Sequence, residues 1–423
     1  MLNIPPSDKK RVVIVGCGFG GLRLAKKLRN SDYQVVIIDK FNYHQFQPLF
    51  YQVATAGLEA SSISFPLRKI FQHYKDYHIR IAEVQHIDSE KQHLWTTLGI
   101  VRYDYLVLAQ GAGNFFFGMR NLEKLSLPMK SVPESINLRN AILQNFEDAL
   151  SVSTDKEREG YENLAVVGGG PTGVEISGAL AEMRRYIIPK DYPELDKKRI
   201  RIHLIEESDR LLPFLSQMSS AKSKKFLEKL GVTVHLNCRV TEYDGKVIQT
   251  SCSGPIPSRL VIWTAGIRTN RIDGLPDKCF ADDGRHIVNR FNRLEGFENI
   301  FIIGDAAKME EGKFPGGHPQ VAPVAIQQAD NTARNFRRMT LGRPLRPFSY
   351  RDKGTMATIG RNRAVVDLPY VHFQGIFAWF VWMFVHLMSI VGAKNRIFIF
   401  LNWFWNYVTY DQSLRLILKP KGC

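Results

Sequence analysis

The chain has 423 residues, 44% of them hydrophobic, with 57 Lys and Arg against 41 Asp and Glu and a formal net charge of +16. That length suits two or three domains with real cores. The five cysteines, Cys17, Cys238, Cys252, Cys279 and Cys423, are scattered and form no C-x-x-C, which argues against a disulfide framework, a zinc ribbon or a dithiol oxidoreductase. The excess positive charge fits an anionic membrane surface or plain solubility better than nucleic acid, because no helix-turn-helix, finger or RNA-binding signature accompanies it.

The N-terminus, MLNIPPSDKKRVVIVG, leads straight into a strand with no charged segment followed by an apolar one. A cytoplasmic placement of the catalytic part is expected. The strand Val12 to Val15 then runs into Gly16, Gly18 and Gly21, with Phe19 and Gly20 between them and a helix after. Glycines at G-x-G-x-x-G spacing make a tight turn, let backbone approach a pyrophosphate, and pack helix closely on strand. The next strand, QVVIIDK, ends in Asp39 and Lys40, where an acid binds a ribose hydroxyl. The stretch Phe41 to Leu58 is too aromatic for a solvent loop, and Pro48 breaks any helix across it. Strands follow at Ile79 to Asp88, which includes Val84, and at Tyr103 to Ala112, where Ala109 and Gly111 leave room for a ligand.

The segment LAVVGGGPTGVE, Leu164 to Glu175, repeats the signature in mid-chain with Gly168, Gly170 and Gly173, and Pro171 and Thr172 at the helix start. Two such units imply two dinucleotides. IRIHLIEE supplies Glu206 as the second ribose acid, later than usual because Arg184 to Lys198 intervenes. The adjacent pair Glu206-Glu207, with no basic residue until Arg210, would repel a 2′-phosphate and favours NADH over NADPH. A strand from Arg259 to Ile267 closes this unit with the small pair Ala265-Gly266. Glu175 is placed in the first turn of its helix, where the dipole stabilises an ionised carboxylate by about 0.3 to 1 kcal/mol.

The strand Asn299 to Ala307, ending at Gly304-Asp305, returns to the first unit, so the second reads as inserted. The expected fold is α/β: two Rossmann-like dinucleotide-binding domains, residues 1–118 with 285–342 and residues 119–284, followed by a C-terminal helical module, 343–423. Within that module no Asp, Glu, Lys or Arg occurs from Leu368 to Ala393, and twenty such residues as helix would reach about 30 Å. A second apolar run, Ile397 to Tyr410, follows the basic break Lys394-Asn395-Arg396. The pair reads as helices lying in a membrane interface, with a spanning helix or a soluble dimer interface as alternatives. His386 is expected in a packed core rather than as a ligand.

These motifs together resemble the type II NADH:quinone oxidoreductases over nearly the whole chain. The resemblance is carried by the first fingerprint with Asp39, YHQFQPLFYQVAT, AQGAGNFFFG, GGGPTGVE, LIEE, WTAGI, IIGDAA, VAPVAIQQA and the Trp-rich tail. It implies FAD in the first unit, NADH in the inserted one, a quinone acceptor, membrane attachment by the C-terminal helices and, in many members, a homodimer. By the resemblance, Asp39 and Asp305 hold the FAD ribose and ribityl chain, Gln47, Pro48 and Leu49 lie by the flavin ring, and Ala322 adjoins them. Glu206 holds the NADH ribose. Glu175 and Gln327 serve where nicotinamide and quinone meet the flavin, and no ion translocation is expected. One departure concerns Pro323, which stands where many members have a glutamine near the quinone ring. Sulfide:quinone reductase has a similar scaffold but needs a redox cysteine pair near the flavin, which no cysteine spacing here suggests. A low-turnover membrane redox sensor is the remaining alternative.

Overall fold

The computed structural model describes residues 1–410 and 414–418; Cys423 lies outside them. The helices used below are, in chain order, α1 (Phe19–Lys27), α2 (Phe50–Ala54), α3 (Pro171–Tyr186), α4 (Gln217–Lys229), α5 (Ala322–Thr340), α6 (Ile376–Ser389) and α7 (Ala393–Thr409).

The chain divides into two compact units, residues 1–44, 65–113 and 267–352 in the first, and 45–64, 114–266 and 353–423 in the second. The second unit is therefore more than an insertion. It takes in the aromatic stretch around Pro48, and the C-terminal segment packs with it instead of standing apart as a third module. Asp367 accepts hydrogen bonds from Ser216 N–H and Ser219 Oγ at the start of α4, both at 2.6 Å.

Each unit is built on a five-stranded parallel sheet. In the first, the order is Ile300–Ile302, Tyr105–Leu108, Lys10–Val15, Tyr33–Asp39, Tyr77–Ile81. The second runs Leu127–Pro128, Leu260–Trp263, Asn163–Val167, Arg201–Ile205, Val232–His235. Both read as continuous β-branched and aliphatic runs because helices cover both faces of a parallel sheet. Val12, Val13 and Ile14 are fully buried, as are Ala165 and Val166. In both sheets the fingerprint strand is the one at which the strand order reverses, and ligands of such sheets bind at that point. The stretch expected as one strand from Ile79 to Asp88 is two, Tyr77–Ile81 and Val84–Asp88, in different sheets.

Two further expectations change. Cys238 and Cys252 form a disulfide. They flank an antiparallel hairpin, Val240–Tyr243 with Val247–Thr250, in which Val240 faces Thr250, so extending the register by two residues sets the cysteines opposite each other. Their spacing of 14 in sequence conceals this, since register rather than separation makes cross-strand neighbours. The long apolar run is also not one helix. Gly375 at φ +91° and Gly392 at φ +86° divide it into the strand His372–Gly375, the 14-residue α6 and α7. Lys394 and Arg396, read as a break, lie in the first turn of α7. Among the described residues no helix is long and apolar enough to cross a membrane.

Candidate functional site

The first cradle forms where the strand Lys10–Val15 turns into α1. Gly16 holds φ +88° beside the Ala109 carbonyl, and a methyl at Gly21 would overlap the Gly16 carbonyl. Gly18, by contrast, is the N-cap of α1 with no side-chain cap, and a Cβ there would meet nothing within 4 Å. Uncapped helix N–H groups facing open space fit a diphosphate. At the end of the next strand Asp39 accepts hydrogen bonds from Cys17 N–H at 2.6 Å and Phe41 N–H at 2.8 Å. Burial raises its pKa, and those two N–H groups pull it back. Gly111, Gly304, Asp305, Ala322 and Val84 belong to the same unit, Ala322 as the first residue of α5. Lys40 is exposed beside the Phe41 ring. Gln47, Pro48 and Leu49 form a 3-10 turn in the second unit.

The second cradle repeats this construction. Gly168 at φ +111° abuts Ala265, Gly173 would overlap the Gly168 carbonyl if it carried a methyl, and Gly170, the N-cap of α3, again faces open space. Pro171 and Thr172 open the helix, as a proline with no N–H to waste does well. Glu206 accepts from Gly169 N–H and from Ser208 N–H, the latter at 2.8 Å. Gly266 follows, its carbonyl taking the Phe115 N–H at 3.0 Å. Glu207 is ion-paired with Arg239. The sequence shows no base until Arg210, but the fold brings Arg239 from the edge of the hairpin, so of the two adjacent acids Glu207 is the one with a cationic partner.

Further along α3 lies a cavity of about 140 Å³ within the second unit, lined among others by Tyr51, Glu175, Glu182, Arg361, Trp382 and Trp403. Glu175 is not in the first turn of α3, which carries no acid, and the dipole does not govern it. Burial raises its pKa to about 8, opposed by the Thr358 N–H and the Trp382 side chain. A carboxyl with that value is largely protonated at neutral pH and can donate a proton. His386 stacks on Trp382 at 4.2 Å and bonds the Trp382 carbonyl, and burial lowers its pKa to about 4. It is the packed histidine expected.

Gln327 is placed in the first unit with both ends of its amide on the Arg351 main chain, at 2.9 and 3.1 Å. The glutamine turned inward is its neighbour. Gln328 is fully buried, its Oε1 accepts the Gly304 N–H at 2.7 Å, and its Nε2 has no partner among the described residues. The sequence carried the signal: Val324, Ala325, Gln328, Ala329 and Thr332 fall on one face of a 3.6-residue helix, and that face is the buried one. Pro323 sits in the first turn of α5, where it removes no helical hydrogen bond.

Residues 10–329 match the family model for pyridine nucleotide-disulphide oxidoreductases, and 353–409 match that for the NDH2 C-terminal domain. The chain belongs to the type II NADH:quinone oxidoreductase family. The enzyme of that name from Mycobacterium tuberculosis, Ndh, is 33% identical over 94% of this chain and 88% of its own length. The one from Haemophilus influenzae is 28% identical over 90% and 93%. The fold is that of a Plasmodium falciparum NDH2 solved in complex with NADH, with a TM-score of 0.87 at 22% identity over 97% of this chain and all of that one. The sulfide:quinone oxidoreductase of Aquifex aeolicus shares the fold more loosely, with a TM-score of 0.66 at 18% identity over 97% of this chain and 96% of that one.

Proposed function

We propose that this chain is a membrane-associated, non-proton-pumping flavoenzyme that oxidises NADH by way of FAD and reduces a lipid quinone. Family membership supports the redox class, and FAD and NADH fit the two cradles. Gly16, Gly18, Gly21 and Asp39 would hold FAD, with Gln328 offering a buried N–H beside Gly304. Gly168, Gly170, Gly173 and Glu206 would hold NADH. Bound FAD supplies hydride acceptance and electron donation, chemistry that no side chain here provides. The chain's own part is to orient the dinucleotides and to manage protons.

The observation that carries the quinone assignment is Glu175, a carboxyl kept protonated near neutral pH in an aromatic cavity. Reduction of a quinone forms two O–H bonds, so a protonated acid in an apolar chamber is the group it requires. The chamber is closed by α6 and α7, whose other faces are bare: Phe377, Phe384, Trp405 and Val408 are each 60% exposed or more. Paired with the basic net charge, those faces suit burial in a membrane interface. Neither helix carries Asp or Glu, so they offer no relay of membrane-buried acids of the kind that pumps use. Vesicles containing this enzyme alone should develop no membrane potential during turnover.

Anaerobic visible absorbance tests the reading. NADH should bleach the flavin of the detergent-solubilised protein at once, a short-chain quinone should restore it, and NADPH should act far more slowly. A colourless protein, or a flavin that quinone cannot reoxidise, would refute it.

A further inference from the structure

The same cavity holds a second carboxyl that the reaction as described does not use. Glu182 lies two helical turns beyond Glu175 on α3, about 10 Å along the axis, and both line the chamber. The two acids differ in surroundings. Glu175 is buried, with no cation among the groups acting on it, whereas Glu182 is partly accessible and accepts the Arg361 N–H. Burial raises the Glu182 pKa, and the Arg361 N–H with the charges of Arg361, Arg363 and Arg185 pulls it back. The phenol of Tyr51, from α2, feels the charge of both. Its oxygen accepts from Gln52 Nε2 at 2.8 Å, and Gln52 Oε1 accepts the Trp403 indole N–H at 2.7 Å. That chain of donors fixes the Tyr51 oxygen as an acceptor and leaves its own proton uncommitted to the chain, on a residue that lines the cavity.

We propose that Glu182 and Tyr51 form a proton relay that reloads Glu175 from solvent during quinone reduction. The proposal rests on the quinone assignment above. NADH + H⁺ + quinone gives NAD⁺ + quinol, so the hydride carries two electrons and one hydrogen while one solvent proton is consumed per turnover. Glu175 gives up its proton to a quinone oxygen, an O–H bond forming there as the carboxyl O–H breaks. Tyr51 passes its proton to the Glu175 carboxylate and regains one from Glu182, which takes its own from water. Glu182 is the partly exposed acid of the two, with arginines offsetting its burial, and so the one that exchanges with solvent. The other ionisable groups around the chamber are Tyr186, Tyr407 and Tyr410, with His386 behind Trp382. Glu182 is a positioning residue, acting on quinone only through Glu175.

The test compares parent, Glu182→Gln, Glu182→Asp and Tyr51→Phe in the FAD-loaded enzyme, with a short-chain quinone and with ferricyanide, which takes electrons without protons. Glu182→Gln and Tyr51→Phe should lower quinone turnover 10- to 100-fold, increasingly as pH rises from 6 to 9, while ferricyanide turnover stays within twofold. Glu182→Asp should recover much of the loss. A pH jump on the resting protein, followed by the protonated-carboxyl infrared band of Glu175, should show its ionisation slowed at least tenfold in Glu182→Gln. Equal losses with both acceptors, or an unchanged infrared rate, would overturn the relay. If the parent itself fails to reduce quinone, the functional assignment falls instead.

Discussion

The two fingerprints share a backbone and diverge one turn later. Two places past the third glycine the first unit has Arg23 and the second Glu175. Arg23 makes a bidentate pair with Asp330 of α5 at 2.7 and 3.0 Å, partly exposed, and so fastens two helices of its unit together. Glu175 has no cationic partner among the described residues and is held protonated by burial. The helices differ in length too, nine residues in α1 against 16 in α3, and the extra two turns are those that carry Glu182. One copy of the motif has been kept as a holder, and the other has been extended into a working surface.

The largest expected effect sets the two turns against each other. Gly21→Ala and Gly173→Ala each drive a methyl into a carbonyl, but the consequences should differ. Gly21→Ala should purify without yellow cofactor and with no activity, whereas Gly173→Ala should stay yellow and lose its response to NADH. Loss of flavin from both would erase the assignment of separate dinucleotides to separate units.

Next is the pair that follows the glycines. Glu175→Gln should lower quinone reduction about 100-fold, the range for a lost general acid, and spare ferricyanide reduction. Arg23→Gln should leave both within twofold, since a partly exposed ion pair contributes about 0 to 1 kcal/mol. The stability sign is opposite to that of an ion-paired acid. The Glu175 pKa is raised on folding to about 8, so its contribution is intact at low pH and lost as the unfolded chain ionises ahead of the folded one, between the ordinary carboxylate value and about 8. Thermal melts should therefore show Glu175→Gln stabilised relative to the parent above pH 8, by as much as roughly 5 kcal/mol at 1.36 kcal/mol per unit.

Much of this was legible in the residues. Glycine spacing, strand runs and the terminal acids Asp39 and Glu206 gave both cradles, because turn geometry is written locally. The protonated state of Glu175 was not legible, since it depends on burial in a chamber whose walls include Thr358, Trp382 and Trp403, roughly two hundred residues away in sequence. Tyr51 and Glu182 were missed for the same reason. Glu182 reads as one charge among several on an amphipathic helix until the strands around Thr358 and Arg361 are packed over it. Gln328 is a different case: helix phase alone separates it from Gln327, and the apolar periodicity of α5 was enough to choose.

A smaller effect concerns the ribose acid of the second unit. Glu206→Ala should raise the KM for NADH roughly 10- to 100-fold, the worth of a charged hydrogen bond at about 1.5 to 3 kcal/mol, with flavin content unchanged. A KM that did not move would place the NADH ribose elsewhere.

The smallest effect comes from the one crosslink among the described residues. Cys238 is buried against Val167, Ile205 and Trp263, and its N–H bonds the Glu206 carbonyl at 2.9 Å, while Cys17, whose N–H bonds Asp39 in the first cradle, is a buried free thiol with no crosslink. Closing a loop of this length contributes at most about 3 kcal/mol, and the hairpin is already held by its strand pairing. Cys252→Ser should therefore lower the melting temperature by a few degrees, and added reductant should do the same to the parent but not to the variant. The KM for NADH decides what the crosslink does. An unchanged value makes it a staple of the hairpin alone, whereas a raised value means that it also sets the position of Glu206, making the second cradle, unlike the first, sensitive to oxidation state.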